Sequence, residues 1–196
     1  PVWGYNPNLA GMLINELCTK TEPKTEILVV SDGNTAGAVL YNGVPENNSG
    51  KAILPSIDVR AGDFIVIWWT SEVVKSYGND VLADTESKGY SNNGIQTLAV
   101  SPAQGARVID CVVYSNGSST FSGYGSSETE KRVKIAVDKG WWKDMNVPVD
   151  SVKSTKLRTM FRVLSHDDTD SASDWFIAEN GGATFGAENS SDAYSE

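Results

Sequence analysis

The stretch IQTLAVSPAQGARVIDCVVY (residues 95–114) decides the fold class, because it holds two apolar runs on either side of a turn. Apolar and polar side chains alternate along 95–101 and along 107–114, as they do in β-strands that bury one face. The intervening SPAQG supplies a glycine where a tight turn needs positive φ. We therefore predict paired strands within an all-β domain.

The same period-two pattern recurs outward from this pair, in segments 12–19, 26–31, 38–42, 63–70, 159–164 and 174–179. Turn sequences such as SDGN, RAGD and ENGG separate these segments. Short strands with this punctuation are typical of a β-sandwich. The run DFIVIWWT is apolar on both faces, so a further layer must cover its second face.

One segment, residues 127–140, has helical rather than strand periodicity. Ser127 and Glu130 resemble a capping box, and Gly140 fits a helix stop. The spacing predicts one inserted helix of about three turns. We expect this helix, with the tryptophan pair behind it, to cover the second face of DFIVIWWT.

Composition limits the function classes. The chain has 196 residues and a formal net charge of −9, and its basic residues are dispersed. This charge balance argues against binding to nucleic acid. No apolar run approaches the ~20 residues that cross a bilayer. The chain starts at Pro1 rather than at methionine, which suggests that a secretion signal or lipid anchor originally preceded it.

The order of the pieces resembles the lamin-tail domain, an immunoglobulin-like β-sandwich that also occurs as a module of bacterial secreted and surface proteins. The matching stretches are LINELCT, TEILVVSDGNTAGAVLYNG, IDVRAGDFIVIW, GYSNNGIQTLAVSPAQGARVIDCVVY and DTDSASDWFIAENGGATFGAEN. The resemblance implies an N-terminal extension at 1–11, one domain at 12–189 and a flexible tail at 190–196.

The most specific matches are SNNG before the central strand pair and DW at the start of the last strand, followed by Gly186 and Asn189. Two positions depart from the family pattern. Phe185 replaces a proline, which loosens the expected final turn, and Ile95 replaces a common acidic residue after the SNNG turn.

The resemblance implies a non-enzymatic binding or scaffold module, which engages a protein or surface partner outside a bacterial cell. The host protein would be secreted or a lipoprotein. Nuclear lamin tails also engage chromatin, but this acidic chain has no basic face for that role. No catalytic residues and no obligatory cofactor are predicted.

The stretch DDTDSASDWF (residues 167–176) gathers four aspartates in a loop: Asp167, Asp168, Asp170 and Asp174. Carboxylate oxygens are the ligands that Ca²⁺ prefers, so a calcium site is one interpretation. The other is a turn whose aspartates cap backbone amides, since the loop lacks the glycine and distal glutamate of an EF-hand.

Four tryptophans offer a second kind of site: Trp68, Trp69, Trp141 and Trp142. An exposed ring would form a platform for a sugar or peptide, which makes a carbohydrate-binding module the main alternative function. Burial of all four in the core is the competing interpretation, because tryptophan is highly buried on average.

A metal-assisted hydrolase is a less favoured alternative, which would need the aspartate loop to converge with other acids in a cleft. A Ser/His/Asp arrangement would have to use His166, whose neighbours Ser165 and Asp167 are adjacent only in sequence. Adjacent strand residues point to opposite faces, so this adjacency does not indicate catalysis.

Cys18 and Cys111 are the two cysteines. They are too far apart in sequence for a CxxC motif, and they could form one disulfide or remain two buried thiols. In an immunoglobulin-like domain the first strand and a late strand can be neighbours, so the resemblance makes a disulfide possible.

Overall fold

The computed structural model describes residues 5–84, 92–102 and 105–195. Residues 1–4 of the expected N-terminal extension lie outside the described residues, as does Glu196 at the end of the expected tail. Ser91 of the SNNG match and residues 103–104 of the SPAQG turn also lie outside them.

The chain forms short strands and one α-helix. The strands are β1 (Gly11–Cys18), β2 (Lys24–Ser31), β3 (Gly33–Asn34), β4 (Ala38–Val44), β5 (Asn47–Ile53), β6 (Asp58–Val59), β7 (Phe64–Trp68), β8 (Asn79–Leu82), β9 (Gly94–Val100), β10 (Val108–Ser115), β11 (Val149–Asp150), β12 (Met160–Arg162) and β13 (Trp175–Ile177). The helix, α1 (Ser127–Asp138), lies between β10 and β11.

Two sheets form the sandwich. The first has six strands in the order β13-β12-β1-β2-β7-β8, and the second has five in the order β11-β10-β9-β4-β5. β3 and β6 form a separate two-stranded sheet. Neighbours are antiparallel except for the β7–β8 and β10–β11 pairs, which are parallel.

The predicted fold class, an all-β sandwich with one helix, is confirmed. Each predicted strand overlaps an observed one, and the helix begins at the predicted residue. The sequence pattern did not indicate β5 and β8 or the two-residue strands. β5 has the sequence NNSGKAI, which lacks regular alternation.

The predicted cap and packing of α1 are wrong. The N-cap is Ser126, whose side chain accepts a hydrogen bond from the backbone N–H of Thr129, so the cap lies one residue before the predicted Ser127. The helix packs on β4 and β9 of the five-stranded sheet and not on β7. Gly140 follows the helix with φ of 74°, as expected for a C-terminal stop.

The second face of β7 is covered from the C-terminal end of the chain. Val66 and Trp68 point to this outer face, where they form a small cluster with Cys18, Phe185 and Tyr77. The alternate side chains Ile65 and Ile67 point into the main core between the sheets. β7 is therefore apolar on both faces, since each face is buried against other apolar side chains.

Both ends of the described chain pack on the sandwich. The Asn6 side chain donates hydrogen bonds to the carbonyls of Asn34 and Ala36. In the segment predicted as a flexible tail, Tyr194 N–H donates to the carbonyl of Ile177 at 2.8 Å. No helix in the described residues is long and apolar enough to cross a membrane.

Candidate functional site

The four aspartates of the predicted calcium loop have separate roles in the turn before β13. Asp174 closes a capping box, and its carboxylate accepts hydrogen bonds from the hydroxyl and the backbone N–H of Thr169 at 2.6 and 2.8 Å. Asp168 Oδ1 lies 3.4 Å from Nη1 of Arg162. The oxygens of Asp168 and Asp174 are thus engaged within the protein.

The structure does not assemble these aspartates into a calcium site. Asp167 accepts a hydrogen bond from the hydroxyl of Ser165 at 2.8 Å, and Asp170 has a left-handed backbone with φ of 53°. Throughout the part of the chain that the structure describes, no group of three or more His, Cys, Asp or Glu residues could hold a metal ion.

The predicted tryptophan platform is not exposed. Trp68, Trp69 and Trp142 are fully buried, and only Trp141 is partly accessible. The ammonium of Lys139 lies 4.8 Å from the centre of the Trp141 ring and covers one face of that ring. Three of the four rings are therefore part of the core, and Trp141 alone remains partly accessible.

Neither cysteine forms the possible disulfide. Cys18 and Cys111 are free, buried thiols. Cys18 lies in the outer cluster of the six-stranded sheet, whereas Cys111 lies in the core between the sheets. Because the two side chains belong to different layers, a bridge between them is not formed.

The residues around His166 do not form a catalytic triad. Nε2 of His166 lies 3.0 Å from Oε1 of Glu188, while the Ser165 hydroxyl donates to Asp167. The histidine therefore faces the C-terminal segment and not the neighbouring serine, as expected for adjacent residues with different orientations.

A cleft opens where the two sheets meet at one edge of the sandwich, and we call it the edge cleft. It lies beside β11 and β13 and has a volume of about 400 Å³. Its lining residues are Pro148, Val149, Asp150, Lys153, Ala172, Trp175, Phe176, Ile177, Ala193 and Tyr194.

The aromatic side chains of the edge cleft are held by neighbouring groups. The Phe176 ring meets the Phe161 ring edge-on, with centroids 5.3 Å apart. The guanidinium of Arg162 lies 4.9 Å from the Trp175 ring centre, and that of Arg158 lies 4.6 Å from the Tyr194 ring centre. The rings thus form fixed walls rather than freely rotating side chains.

Exposed apolar side chains accompany the edge cleft. Val147, Val152 and Leu157 are each more than half exposed, at 53%, 51% and 51%. They belong to the same segment of chain that supplies one wall of the cleft. Val147 and Val152 are sequence neighbours of the lining residues Pro148 and Lys153, so exposed apolar side chains flank one wall of the cleft.

A second cleft, of about 440 Å³, lies on the outer face of β1 and β2. Its floor is aliphatic and includes Leu13, Leu28 and Val30, and its rim carries the His166–Glu188 pair. Among the described residues, its lining includes no phenylalanine, tyrosine or tryptophan.

Two buried glutamates lie side by side beneath the C-terminal segment. Glu16 on β1 and Glu26 on β2 are direct register partners, and neither is exposed to solvent. Paired Cβ atoms on adjacent strands are about 5 Å apart. Of the ion pairs formed by the described residues, none includes either of them.

Burial strongly affects these two carboxyl groups. It raises the pKa of Glu16 to about 7 and the pKa of Glu26 to about 8, because a charge loses hydration when it is buried. Hydrogen bonds from Thr159 and Thr184 to Glu16, and from Asn15 and Gly186 to Glu26, oppose the shifts but are weaker.

A third buried acid joins the two sheets. Oδ2 of Asp110 on β10 lies 2.6 Å from Nη2 of Arg162 on β12, and both side chains are fully buried. Burial raises the pKa of Asp110 to about 6, and the guanidinium opposes this shift. Arg162 also donates to the carbonyl of Ile14 at 2.8 Å, so the ion pair links three strands.

A family model described as a protein second domain matches residues 10–89 and 78–177, which together are most of the chain. The chain belongs to this second-domain family. No curated protein matches the sequence. The match to the second-domain family includes most of the edge cleft and ends with β13, so residues 182–190 lie beyond it.

Sequence reasoning missed the edge cleft and the glutamate pair of this second-domain family member. The sequence places Trp175 in the DW match and Phe176 at the end of the aspartate stretch, and neither position indicates a cleft. Glu16 and Glu26 occupy alternating strand positions that normally face water. The sequence signal was their position beside the apolar runs MLI and ILVV of two consecutive strands.

Proposed function

We propose that this chain is a non-enzymatic binding module of an extracellular or cell-surface protein, and that its edge cleft receives a protein partner. The observation that carries the proposal is an aromatic cleft with an exposed apolar segment beside it. Aromatic side chains are enriched in the cores of protein–protein interfaces.

The lining of the edge cleft suits recognition by shape with a few polar contacts. Trp175, Phe176 and Tyr194 supply apolar area, and Asp150 and Lys153 supply opposite charges on the facing wall. Binding sites commonly combine mainly apolar walls with a small number of polar groups that fix orientation. A partner would therefore insert an apolar side chain and place polar groups near Asp150 and Lys153.

The proposed location rests on the sequence. The resemblance to lamin-tail domains implies a module of a bacterial secreted protein or lipoprotein, and the net charge of −9 fits a role without nucleic acid. The lamin-tail relationship is part of this proposal, and the sandwich fold is compatible with it.

The alternative functions have less support from the geometry. A carbohydrate-binding module would use exposed tryptophans, but Trp68, Trp69 and Trp142 are buried. A metal-assisted hydrolase would use the aspartate loop, but Asp168 and Asp174 are engaged by Arg162 and by turn groups. Neither alternative makes use of the edge cleft, which is the surface that supports the proposal.

Site-specific photo-crosslinking tests the proposal directly. A photoreactive amino acid replaces Val152 beside the cleft in one variant, and replaces Val74 in a matched control. The two valines are equally exposed, at 51% and 50%, but Val74 does not belong to the cleft lining. Each variant is presented to a bacterial cell-surface protein fraction and irradiated, and adducts are identified by mass spectrometry.

We expect a defined protein adduct at position 152 that is missing at position 74. The Val152→Glu variant should compete poorly for the same partner, while Val74→Glu should compete as well as the unchanged protein. Equal labelling at both positions would contradict a partner in the edge cleft. Binding to an oligosaccharide panel without any protein adduct would instead support the carbohydrate alternative.

A further inference from the structure

The C-terminal strap, which we define as residues 182–190, lies across the outer face of β1, β2 and β7. Its sequence is GATFGAENS, in which four of the nine residues are exposed and three more are half-buried. Phe185 and Asn189 are its buried residues. Phe185 packs against Val66 and Trp68, so one aromatic ring supplies most of the apolar contact of the strap.

The strap is bonded to the two buried glutamates. The backbone N–H of Thr184 donates to Oε2 of Glu16 at 3.1 Å, and the Thr184 hydroxyl donates to the same oxygen at 3.0 Å. The backbone N–H of Gly186 donates to Oε2 of Glu26. The polar attachment of the strap therefore depends on both carboxyl groups.

Asn189 completes this attachment without a charge. Its side chain donates to the carbonyl of Arg162 at 2.8 Å and exchanges hydrogen bonds with the side chain of Asn15. Asn15 in turn donates to Oε1 of Glu26 at 2.9 Å. The strap and the carboxyl pair thus form one buried hydrogen-bonded network, in which each member depends on the others.

The charged surroundings do not neutralise two carboxylates. The nearest base, Lys24, directs its ammonium to the carbonyl of Glu22 and over the rings of Trp68 and Phe185. Burial lowers the pKa of Lys24, and its charge favours ionised Glu16 less strongly than burial disfavours it. The other titratable groups that face the pair or its neighbours are Cys18, Glu22, Tyr77, Asp80, Lys156, His166 and Glu188.

We propose that the C-terminal strap is a proton-dependent latch, which stays closed while Glu16 and Glu26 hold at least one proton between them and opens when both ionise. Two adjacent buried carboxylates repel each other and lack hydration. Opening of the strap lets water reach both groups without disrupting the core between the sheets.

The direction of the pH effect follows from the linkage between protonation of the two glutamates and closure of the strap. The pKa values of both groups in the closed state lie above the ordinary value of 4.5, so the closed state binds protons more tightly than the open state. The stabilisation of the closed state is fully present below the ordinary pKa and is lost as the pH rises through about 7 and about 8.

The strap is the segment that should open first when the two glutamates ionise. Segments with few buried apolar contacts open locally at lower free energy than core strands do. In contrast to the strap, every residue of β9 is buried in the five-stranded sheet. Ionisation of the pair should therefore release the strap before it affects the core.

Hydrogen exchange measured by mass spectrometry tests the latch. Protection of a peptide that covers the strap is compared with protection of a β9 peptide between about pH 6 and about pH 9, after correction for the intrinsic exchange rate. We expect strap protection to fall by about tenfold or more as pH rises, while β9 protection changes little.

The double variant Glu16→Gln, Glu26→Gln should abolish this pH dependence, because it preserves side-chain size and removes the ionisation. Glu72→Gln, at an exposed acid outside the network, should behave like the unchanged protein. Strap protection that is constant with pH, or that falls equally in the double variant, would overturn the proposal.

A second measurement covers the case in which the double variant does not fold. Carbon-13 NMR of the unchanged protein, labelled at glutamate side chains, reports the titration of Glu16 and Glu26. At least one should titrate well above the ordinary glutamate range, together with shifts of the Thr184 and Gly186 amide signals. Titration of both groups at ordinary glutamate values would exclude the latch.

Discussion

The two faces of the six-stranded sheet are both buried, but by different kinds of partner. Its inner face carries Ile14, Ile27 and Ile67, which pack into the core between the sheets. Its outer face carries Glu16 and Glu26, which are covered by a polar strap. Burial on the inner face depends on apolar contact, whereas burial of the two outer-face glutamates depends on hydrogen bonds and protons.

This difference separates two tasks within one sheet. The aliphatic side chains of the inner face provide stability that does not depend on pH, because they have no charge to lose or gain. The outer face holds the C-terminal segment through groups that titrate near neutral pH. A stable sandwich can therefore carry a segment whose attachment changes with pH.

The largest effect on stability should come from the buried ion pair of Asp110 and Arg162, which links the two sheets. Arg162→Met leaves Asp110 buried without its partner, and we expect it to lower the free energy of unfolding by roughly 3–5 kcal/mol. Urea denaturation measures this. The double variant Asp110→Asn, Arg162→Met should recover part of the loss, and failure to recover any would contradict an unpaired charge as the cause.

Truncation of an inner-face side chain should lower the free energy of unfolding at every pH. Ile67→Ala removes a fully buried side chain, and we expect a loss of roughly 2–4 kcal/mol in the free energy of unfolding. The loss should be the same in mildly acidic and mildly alkaline buffer, as measured by urea denaturation. A loss that varied strongly with pH would show that the two faces are not independent.

Substitution of the two outer-face glutamates should raise the free energy of unfolding in alkaline solution rather than lower it. The variant Glu16→Gln, Glu26→Gln should raise the free energy of unfolding by roughly 1–3 kcal/mol at about pH 8.5, because no charge is then buried. In mildly acidic buffer the same substitutions should give little gain. Thermal denaturation at both pH values checks the sign, and destabilisation at alkaline pH would contradict it.

The smallest effect on stability should come from the edge cleft. Val152→Glu changes an exposed side chain, and we expect the free energy of unfolding to stay within about 0.5 kcal/mol of the unchanged protein. Binding of the cross-linked partner should nevertheless be lost. Global unfolding of this variant would show that the segment is structural rather than a binding surface.

The strands of the sandwich were predictable because their side chains alternate, as in GIQTLAV and VIDCVVYS. The position of α1 was predictable from its helical periodicity and from Gly140 after it, but its packing was not, since an amphipathic helix does not specify which sheet it covers. β5 was missed because its polar sequence is held by pairing with β4 and not by a core pattern.

The candidate sites were harder to predict, because their residues meet only through the tertiary fold. The strap residue Thr184 and its partner Glu16 are 168 positions apart in sequence. The walls of the edge cleft come from separate segments around 148–153, 172–177 and 193–194. The tryptophans and aspartates were visible in the sequence, but their burial and their hydrogen bonds become visible only in the structure.

The most direct test of the contrast between the two faces is the free energy of unfolding of the unchanged protein at about pH 5.5 and about pH 8.5, measured alongside the Glu16→Gln, Glu26→Gln variant. The unchanged protein should be less stable at the higher pH, and the variant should lose much less stability over the same interval. Equal pH dependence in the two proteins would contradict the assignment of the outer face as the proton-dependent layer.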